Sequence, residues 1–286
     1  MDSSTELDVN VERATHFPEH LQSEPEPVAI VHAGSFDAAP PPALGLFARH
    51  EGIPAHNQDI LRDIRVLGVG AGGLNSWTLI ALARSGCQNI IVIDEDRVDQ
   101  SNLSRQHYFV ADLGLRKGKS LAHHIAAHAI DGAIVTGIGL RFEEAIERYP
   151  LPADLIIAGV DNNACRLEVA KEARRRGIPA IFLMLSLDGM RGQIFLQDAS
   201  PLEPCLWCAL PNLDPERVTP CAAAIISSCF MMAAFAVFFA HRCAMGWGSM
   251  TPFNWREADL SGITPDRIGR IKKRPDCPVC SSRSLT

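Results

Sequence analysis

The sequence has no excess of basic residues: 27 Lys and Arg stand against 33 Asp and Glu, a formal net charge of −6. A general nucleic-acid binder carries a basic excess or stripe, so that partner class is excluded. The N-terminus, Met1-Asp2-Ser3-Ser4-Thr5-Glu6, lacks both the basic and the apolar region of a secretory signal. No internal repeat is visible. Nine cysteines are an odd number, and a chain of 286 residues is too long to need a disulfide framework. Charged residues are 21% against 47% hydrophobic, which rules out disorder throughout and supplies a packed core. Four cysteines fall into two C-x-x-C pairs, pointing to a reducing, cytoplasmic setting and a bound metal.

One run lacks charge altogether. Residues 221–240 (CAAAIISSCFMMAAFAVFFA) are long enough to span a bilayer. The paired serines, the small residues and the position between candidate metal ligands argue instead for a core helix, and no membrane association is expected.

Residues 1–42 are rich in Glu, Pro, Ser and His and close on Ala38-Ala39-Pro40-Pro41-Pro42, an extension and linker with one short strand candidate at 28–31. The domain proper is 43–286. Strands are expected at 64–69, 89–93, 133–138, 155–158 and from 178, with helices at 74–84, 119–130 and 163–176. Alternation of this kind predicts an α/β fold, a mostly parallel sheet with helices on both faces.

Between the first strand and its helix lies Gly68-Val69-Gly70-Ala71-Gly72-Gly73, a G-x-G-x-x-G pattern. Such glycines let backbone approach a phosphate, and the helix start offers free N–H groups. The next strand ends in Asp94, 24 residues after Gly70, where a ribose-binding carboxylate is expected. A tight turn without a ligand is the alternative. A nicotinamide-dependent oxidoreductase needs no fixed pattern after the acid. This chain has one: Asp99-Gln100-Ser101-Asn102-Leu103-Ser104-Arg105-Gln106, then Arg116-Lys117-Gly118-Lys119. An Arg and a Lys beside a phosphate loop suit triphosphate chemistry.

The runs GVGAGGLNS, IDEDRVDQSNLSRQ and KGKS, followed by AGVDNNACR at 158–166, together resemble the adenylation domain of ubiquitin-activating-type (ThiF/MoeB-like) enzymes. That superfamily includes bacterial adenylyltransferases acting on sulfur-carrier proteins. The resemblance runs from about residue 45 to 286 and implies a Rossmann-like domain using ATP and Mg²⁺. It implies that Gly68, Gly70, Gly72 and Gly73 cradle the nucleotide and that Asp94 binds the ribose. Asp96, Asn102, Arg105, Gln106 and Lys119 would line the phosphate site, and Asp161, beside Asn162, would hold Mg²⁺. The spacing from Arg105 is one residue longer than in the sulfur-carrier enzymes, so Lys117 competes with Lys119. Gln58 matches the family's glutamine before the first strand. Arg49 is a candidate for the arginine that can reach a neighbouring subunit's nucleotide.

Cys205, Cys208, Cys277 and Cys280 form two knuckles separated by 68 residues. Four thiolates complete a tetrahedral Zn²⁺ shell and leave no open position, so the site is expected to be structural, stapling the chain's end to the domain. Cys87, Cys229 and Cys243 read as packing residues. Cys165 lies beside the proposed Mg²⁺ site, where negative charge disfavours a thiolate. Cys221 follows Thr219-Pro220 and is expected to open the apolar helix, where the dipole would acidify its thiol. Thr219-Pro220-Cys221-Ala222-Ala223-Ala224 resembles the active-site region of compact activating enzymes, which implies a thioester-forming nucleophile; a plain helix-start cysteine is the alternative. His123, His124 and His128 read as a solvated or partly packed helix face. Arg174-Arg175-Arg176 complements a helix C-terminus and is a weak partner-binding candidate.

The expected reaction is adenylation of a ubiquitin-like protein's C-terminal carboxylate. The resemblance implies a glycine tail on that substrate, then thioester formation on Cys221, a conjugating-enzyme partner and a homodimer. The alternatives are a sulfur-carrier adenylyltransferase and a nucleotide-binding scaffold without activity.

Overall fold

Five short apolar runs form the centre of a nine-stranded sheet. In the computed structural model, which describes residues 27–33, 45–130, 132–216, 222–247 and 253–280, they are β2 (Arg65–Val69), β3 (Asn89–Ile93), β4 (Ile134–Ile138), β5 (Leu155–Ala158) and β6 (Ala180–Leu185). They lie in the order β4-β3-β2-β5-β6 and every pairing is parallel. Parallel strands are covered on both faces, which is why these read as continuous Val/Ile/Leu segments. β5 is wholly buried. Its neighbour β2 alternates, with Val66 in one apolar cluster and Leu67 and Val69 in the other. The strand at 178 starts two residues later than expected, after Pro179, which has no N–H to give a central ladder.

Helices supply the two covers. α2 (Gly73–Arg84) and α3 (Lys117–His128) pack Leu79, Leu82, Leu121 and Ile125 on one face. On the other, α4 (Phe142–Arg148) and α5 (Asn163–Arg176) pack Phe142, Val169 and Ala173. The sheet is extended antiparallel at both edges. β1 (Val28–His32) pairs with β4, while β7 (Arg191–Gln197), β8 (Trp255–Asp259) and β9 (Arg267–Gly269) follow β6. Two short helices, α1 (Gln58–Asp63) and α6 (Leu206–Ala209), precede β2 and follow β7.

The charge-free run becomes α7 (Ile226–Ala244), which lies against α2, β6 and β7. It is long and apolar enough to cross a membrane, yet Met232, Ala236 and Phe239 are inside the protein core. It begins five residues later than the sequence suggests: Ala222–Ile225 are not helical, and Ile225, with extended backbone, occupies the N-cap position. Cys221 itself lies outside the described residues.

The histidine face of α3 is partly packed: His123 and His128 are half-buried, while His124 is buried, its Nε2 lies 2.8 Å from Asp112 Oδ2, and Ser120 Oγ donates to Oδ1 at 2.5 Å. Burial pushes the Asp112 carboxyl up, but the bonds from His124, the Phe109 N–H and Ser120 outweigh it and hold the group below the usual range. On α7, burial and the nearby His56 and His50 pull His241 down to about 4. The unfolded chain then binds a proton that the folded one refuses between about pH 6.5 and 4. His241 consequently lowers stability as pH falls through that window, and His241→Phe is expected to flatten the slope of Tm against pH there.

Candidate active site

The strand order reverses between β2 and β5, and in open α/β sheets ligands bind outside the carboxyl ends of strands at that point. A cavity of about 630 Å³ opens there. Its floor is the loop from β2 to α2. Gly70 has φ +87°, and a Cβ on it would sit 2.9 Å from the Gly159 carbonyl oxygen, so backbone passes backbone directly. A Cβ on Gly73 would meet the Cys229 side chain, its Sγ 2.8 Å away, whereas a Cβ on Gly72 would meet open space. Gly68 does not line the cavity. It is inside β2, where the Leu79 side chain fills the room a Cβ would need. Asn75 fixes the loop by donating Nδ2 to the carbonyls of Val69, Gly70 and Ile157 at 2.9–3.0 Å.

The cavity suits a phosphate chain. α2 starts at Gly73 with no side chain capping its first turn, so its leading N–H groups face the open space above Gly72. Asp94 leaves the end of β3 and accepts from the Ala71 N–H at 2.6 Å and the Asp96 N–H at 2.9 Å. Burial pushes its carboxyl up; Lys117 and the Ala71 N–H pull against that. Buried Gln106 brings an Oε1 with no partner among the described residues to the same wall. Asn102 is buried beside it and accepts from the Asp99 N–H, closing a capping box that shapes the 100–102 turn. Arg105 lines the cavity from that turn, donating Nη1 to the Ser101 carbonyl at 2.6 Å, and its own carbonyl accepts from Trp77 Nε1.

The lysine at the cavity is Lys117. Its Nζ is 2.9 Å from Asp96 Oδ2 and the residue is buried. Lys119 is not among the lining residues. α3 starts at Lys117, and residues two apart on a helix do not share a face. Of the two lysines the sequence offers, Lys117 is the one that lines the cavity. Across the cavity, Asp161 is exposed on the wall, and Asn162, which also lines it, caps α5 by accepting from the Cys165 N–H at 2.7 Å. Arg166 reaches back from α5 to the Val160 carbonyl and Asn163 Oδ1. An exposed carboxylate beside phosphate-binding groups is the donor set that Mg²⁺ accepts.

Sequence reasoning missed Leu140, Arg141, Phe142 and Glu143, which enter the cavity from the turn after β4. It missed Ser186 and Leu187 at the end of β6, which line the cavity with Ala222, Ala224 and Cys229. No motif marks these residues; only the sheet order brings them together. Gln58 and Arg49 lie elsewhere. Gln58 ties α1 to the end of α2 through the Ser85 carbonyl at 2.8 Å, and exposed Arg49 lines no part of its own chain's cavity.

The two knuckles do meet. Cys205, Cys208, Cys277 and Cys280 are buried with all four Sγ atoms within 4.8 Å of one another. The adjacent separations are 3.6, 3.5 and 4.0 Å. Thiolates about 2.3 Å from a tetrahedral Zn²⁺ stand about 3.8 Å apart, so the set fits that ion. Arg174 holds the approach to the first knuckle, donating to the carbonyls of Asp198, Ser200, Glu203 and Pro204. Arg175 and Arg176 both pair with Glu172. Arg174 and Arg176 thus brace the fold, while the Arg175 side chain stays exposed. Burial pushes the thiols of Cys87, Cys165 and Cys243 up to about 12, as packing residues require. Purified protein is expected to carry one zinc per chain by elemental analysis. Cys277→Ser should lose it and lower Tm by more than about 5 °C, since a structural site supplies several kcal/mol.

Comparison with known proteins agrees with this arrangement. Residues 47–279 match the model of the ThiF family. A probable adenylyltransferase/sulfurtransferase MoeZ of Mycobacterium tuberculosis is 34% identical over 158 residues, 54% of this chain and 40% of that protein. The chain thus spans well under half the length of that relative. The sulfur carrier protein adenylyltransferase of Thermus thermophilus is 27% identical over 78% of this chain and 84% of its own length. The SAMP-activating enzyme E1 of Haloferax volcanii is 25% identical over 83% and 88%. Among solved structures, Escherichia coli MccB with ATP aligns at TM-score 0.64 and 22% identity, covering 78% of this chain and 68% of that one; this likeness concerns the fold. With the family match running from the turns before α1 into the second cysteine pair, the chain belongs to the ThiF family.

Proposed function

We propose that the chain activates the C-terminal carboxylate of a ubiquitin-like protein by adenylation. The observation that carries this reading is one cavity that brings together groups of two chemical kinds. Gly72, Asp94 and Lys117 suit a nucleotide. Ser186, Leu187, Ala222 and Ala224 are small or apolar lining residues along which a tail of glycines would thread. Arg105 and Asp161 line the same cavity. A carboxylate oxygen attacks the α-phosphorus of ATP, the bond to the β-phosphate oxygen breaks, and an acyl-adenylate and pyrophosphate result. Arg105 and Lys117 neutralise the charge that develops, and the cleft holds the reactants in line. Mg²⁺ on Asp161 would supply further charge neutralisation.

In the second step, the Cys221 sulfur attacks the acyl carbon, AMP departs, and a thioester forms for transfer to a conjugating enzyme. Support for Cys221 rests on its sequence neighbour Ala222, which lines the cavity. The sulfur-carrier reading is favoured by a different observation: the Thermus thermophilus relative aligns along 84% of its length. There the adenylate passes directly to a sulfur donor. A scaffold without activity is disfavoured, because Asp94, Arg105, Lys117 and Asp161 all face one cavity. We propose a homodimer as well, since α7 leaves Ile226, Phe230, Met231 and Phe238 exposed on one side.

The test is incubation of the protein with MgATP and candidate ubiquitin-like proteins, read by pyrophosphate exchange and by non-reducing gels. Arg105→Ala and Lys117→Ala are each expected to lower exchange by about 10²–10³-fold, while Lys119→Ala stays near wild type. A thiol-sensitive adduct absent from Cys221→Ala establishes the activating enzyme. Exchange without any adduct establishes the sulfur-carrier reading, and absence of exchange with every candidate sinks the adenylation proposal.

A further inference from the structure

A second cavity, of about 370 Å³, lies at the opposite end of β6 and shares no residue with the first. Pro179 borders it just before β6, whereas Ser186 borders the nucleotide cavity just after, so the two stand roughly 20 Å apart along the strand. Its lining combines an apolar wall of Pro179, Leu196, Ala199 and Cys243 with Arg242 and Arg270.

Arg242 is the unusual element. The residue is only 5% exposed, and its Nε and Nη1 have no hydrogen-bond partner among the described residues. Its guanidinium carbon lies 4.6 Å from the Phe253 ring centroid and 5.5 Å from that of Phe239, so the aromatic rings hold the cation in place without satisfying its N–H groups. Burying a charge with unpaired donors is costly, and the usual remedy is a bound counter-charge. None of the described neighbours hydrogen-bonds to those two N–H groups. Cys243 stays a neutral thiol, its titration pushed up to about 12 by burial. Glu203 accepts from Arg270 at 2.8 Å, and Asp198 accepts from the Ser200 N–H at 2.8 Å. The side-chain amide of Asn254 is committed to the backbone of Ile271 in both directions.

We propose that this cavity is a carboxylate-binding site, in which Arg242 grips a small monocarboxylate and the apolar wall takes the ligand's body. The charge balance selects the class. Arg242 and Arg270 share the lining with Asp198 and Glu203, and the C-terminal end of α7 adds negative potential, so a singly charged ligand meets less repulsion than a dianion. A planar guanidinium matches a planar carboxylate in geometry. The volume suits a compact organic acid rather than a nucleotide.

The full chain would be heated with sodium butyrate and, at matched ionic strength, with inorganic phosphate. Butyrate at about 10 mM, roughly ten times the millimolar Kd that one such contact supplies, raises Tm, and phosphate does not. Arg242→Met removes the rise while MgATP binding is retained, and Arg242→Lys weakens the apparent affinity about tenfold. Ala199→Phe fills the apolar wall without touching the guanidinium and also removes the rise, which keeps the test sound if Arg242→Met does not fold. A short acidic peptide is the other carboxylate source, and binding of that peptide in place of butyrate overturns the small-molecule assignment. The proposal is likewise overturned by no rise with butyrate, by an equal rise with phosphate, or by a rise unchanged in Arg242→Met.

Discussion

Backbone passes backbone at Gly70, and the rest of the nucleotide cavity is arranged around that contact. The β2–α2 loop can approach the end of β5 only because neither Gly70 nor Gly159 carries a Cβ. One amide, that of Asn75, then spans the loop and both strands by donating to three carbonyls. It does so from a fully buried position, where a lost hydrogen bond is most expensive. The free N–H groups of α2, the Asp94 carboxylate and the 100–106 turn all take their places from this junction. A side chain at Gly70 would separate β2 from β5 at the point where the strand order reverses.

The parallel half of the sheet was legible because each strand there is a β-branched run bounded by turn residues. β3, β5 and α5 fall on the expected residues, and the two cysteine pairs converge as their spacing implied. The antiparallel half was not legible. β7 (RGQIFLQ) and β8 (WREAD) carry glycine and charge, as strands near a sheet edge do, and no periodicity announces them. Two helix starts differ from the expected ones. α3 begins two residues earlier, and Lys117 is the lysine that lines the cavity; α7 begins five residues later, at Ile226. Boundaries of a helix depend on what its first turn packs against, and that is a tertiary fact. Arg141 and Phe142 had no signal at all, since only the order of β4, β3 and β2 brings them over the phosphate loop.

The apolar helix shows how one composition serves two environments. Residues four apart, such as Met232, Ala236 and Ala240, sink into the core formed with α2 and the sheet. Phe230 and Phe238 remain outside, each set against an indole, Trp77 and Trp247 respectively. By hydropathy alone both faces look alike; the distinction is made by what the sheet and α2 cover.

The cysteine cluster clasps a long excursion of the chain. Between Cys208 and Cys277 lie Ala222, Ala224 and Cys229 of the nucleotide cavity, the whole of α7, and strands β8 and β9. The other residues lining that cavity precede the first knuckle. An ion in the clasp would therefore act as a fastener for α7 and the lining residues beside its start. Opening it would leave most of the nucleotide-binding groups in place but loosen part of the wall against which a second reactant could be placed. Metal occupancy and nucleotide affinity would then part company, and the state of four sulfur atoms would decide what the bound nucleotide can meet.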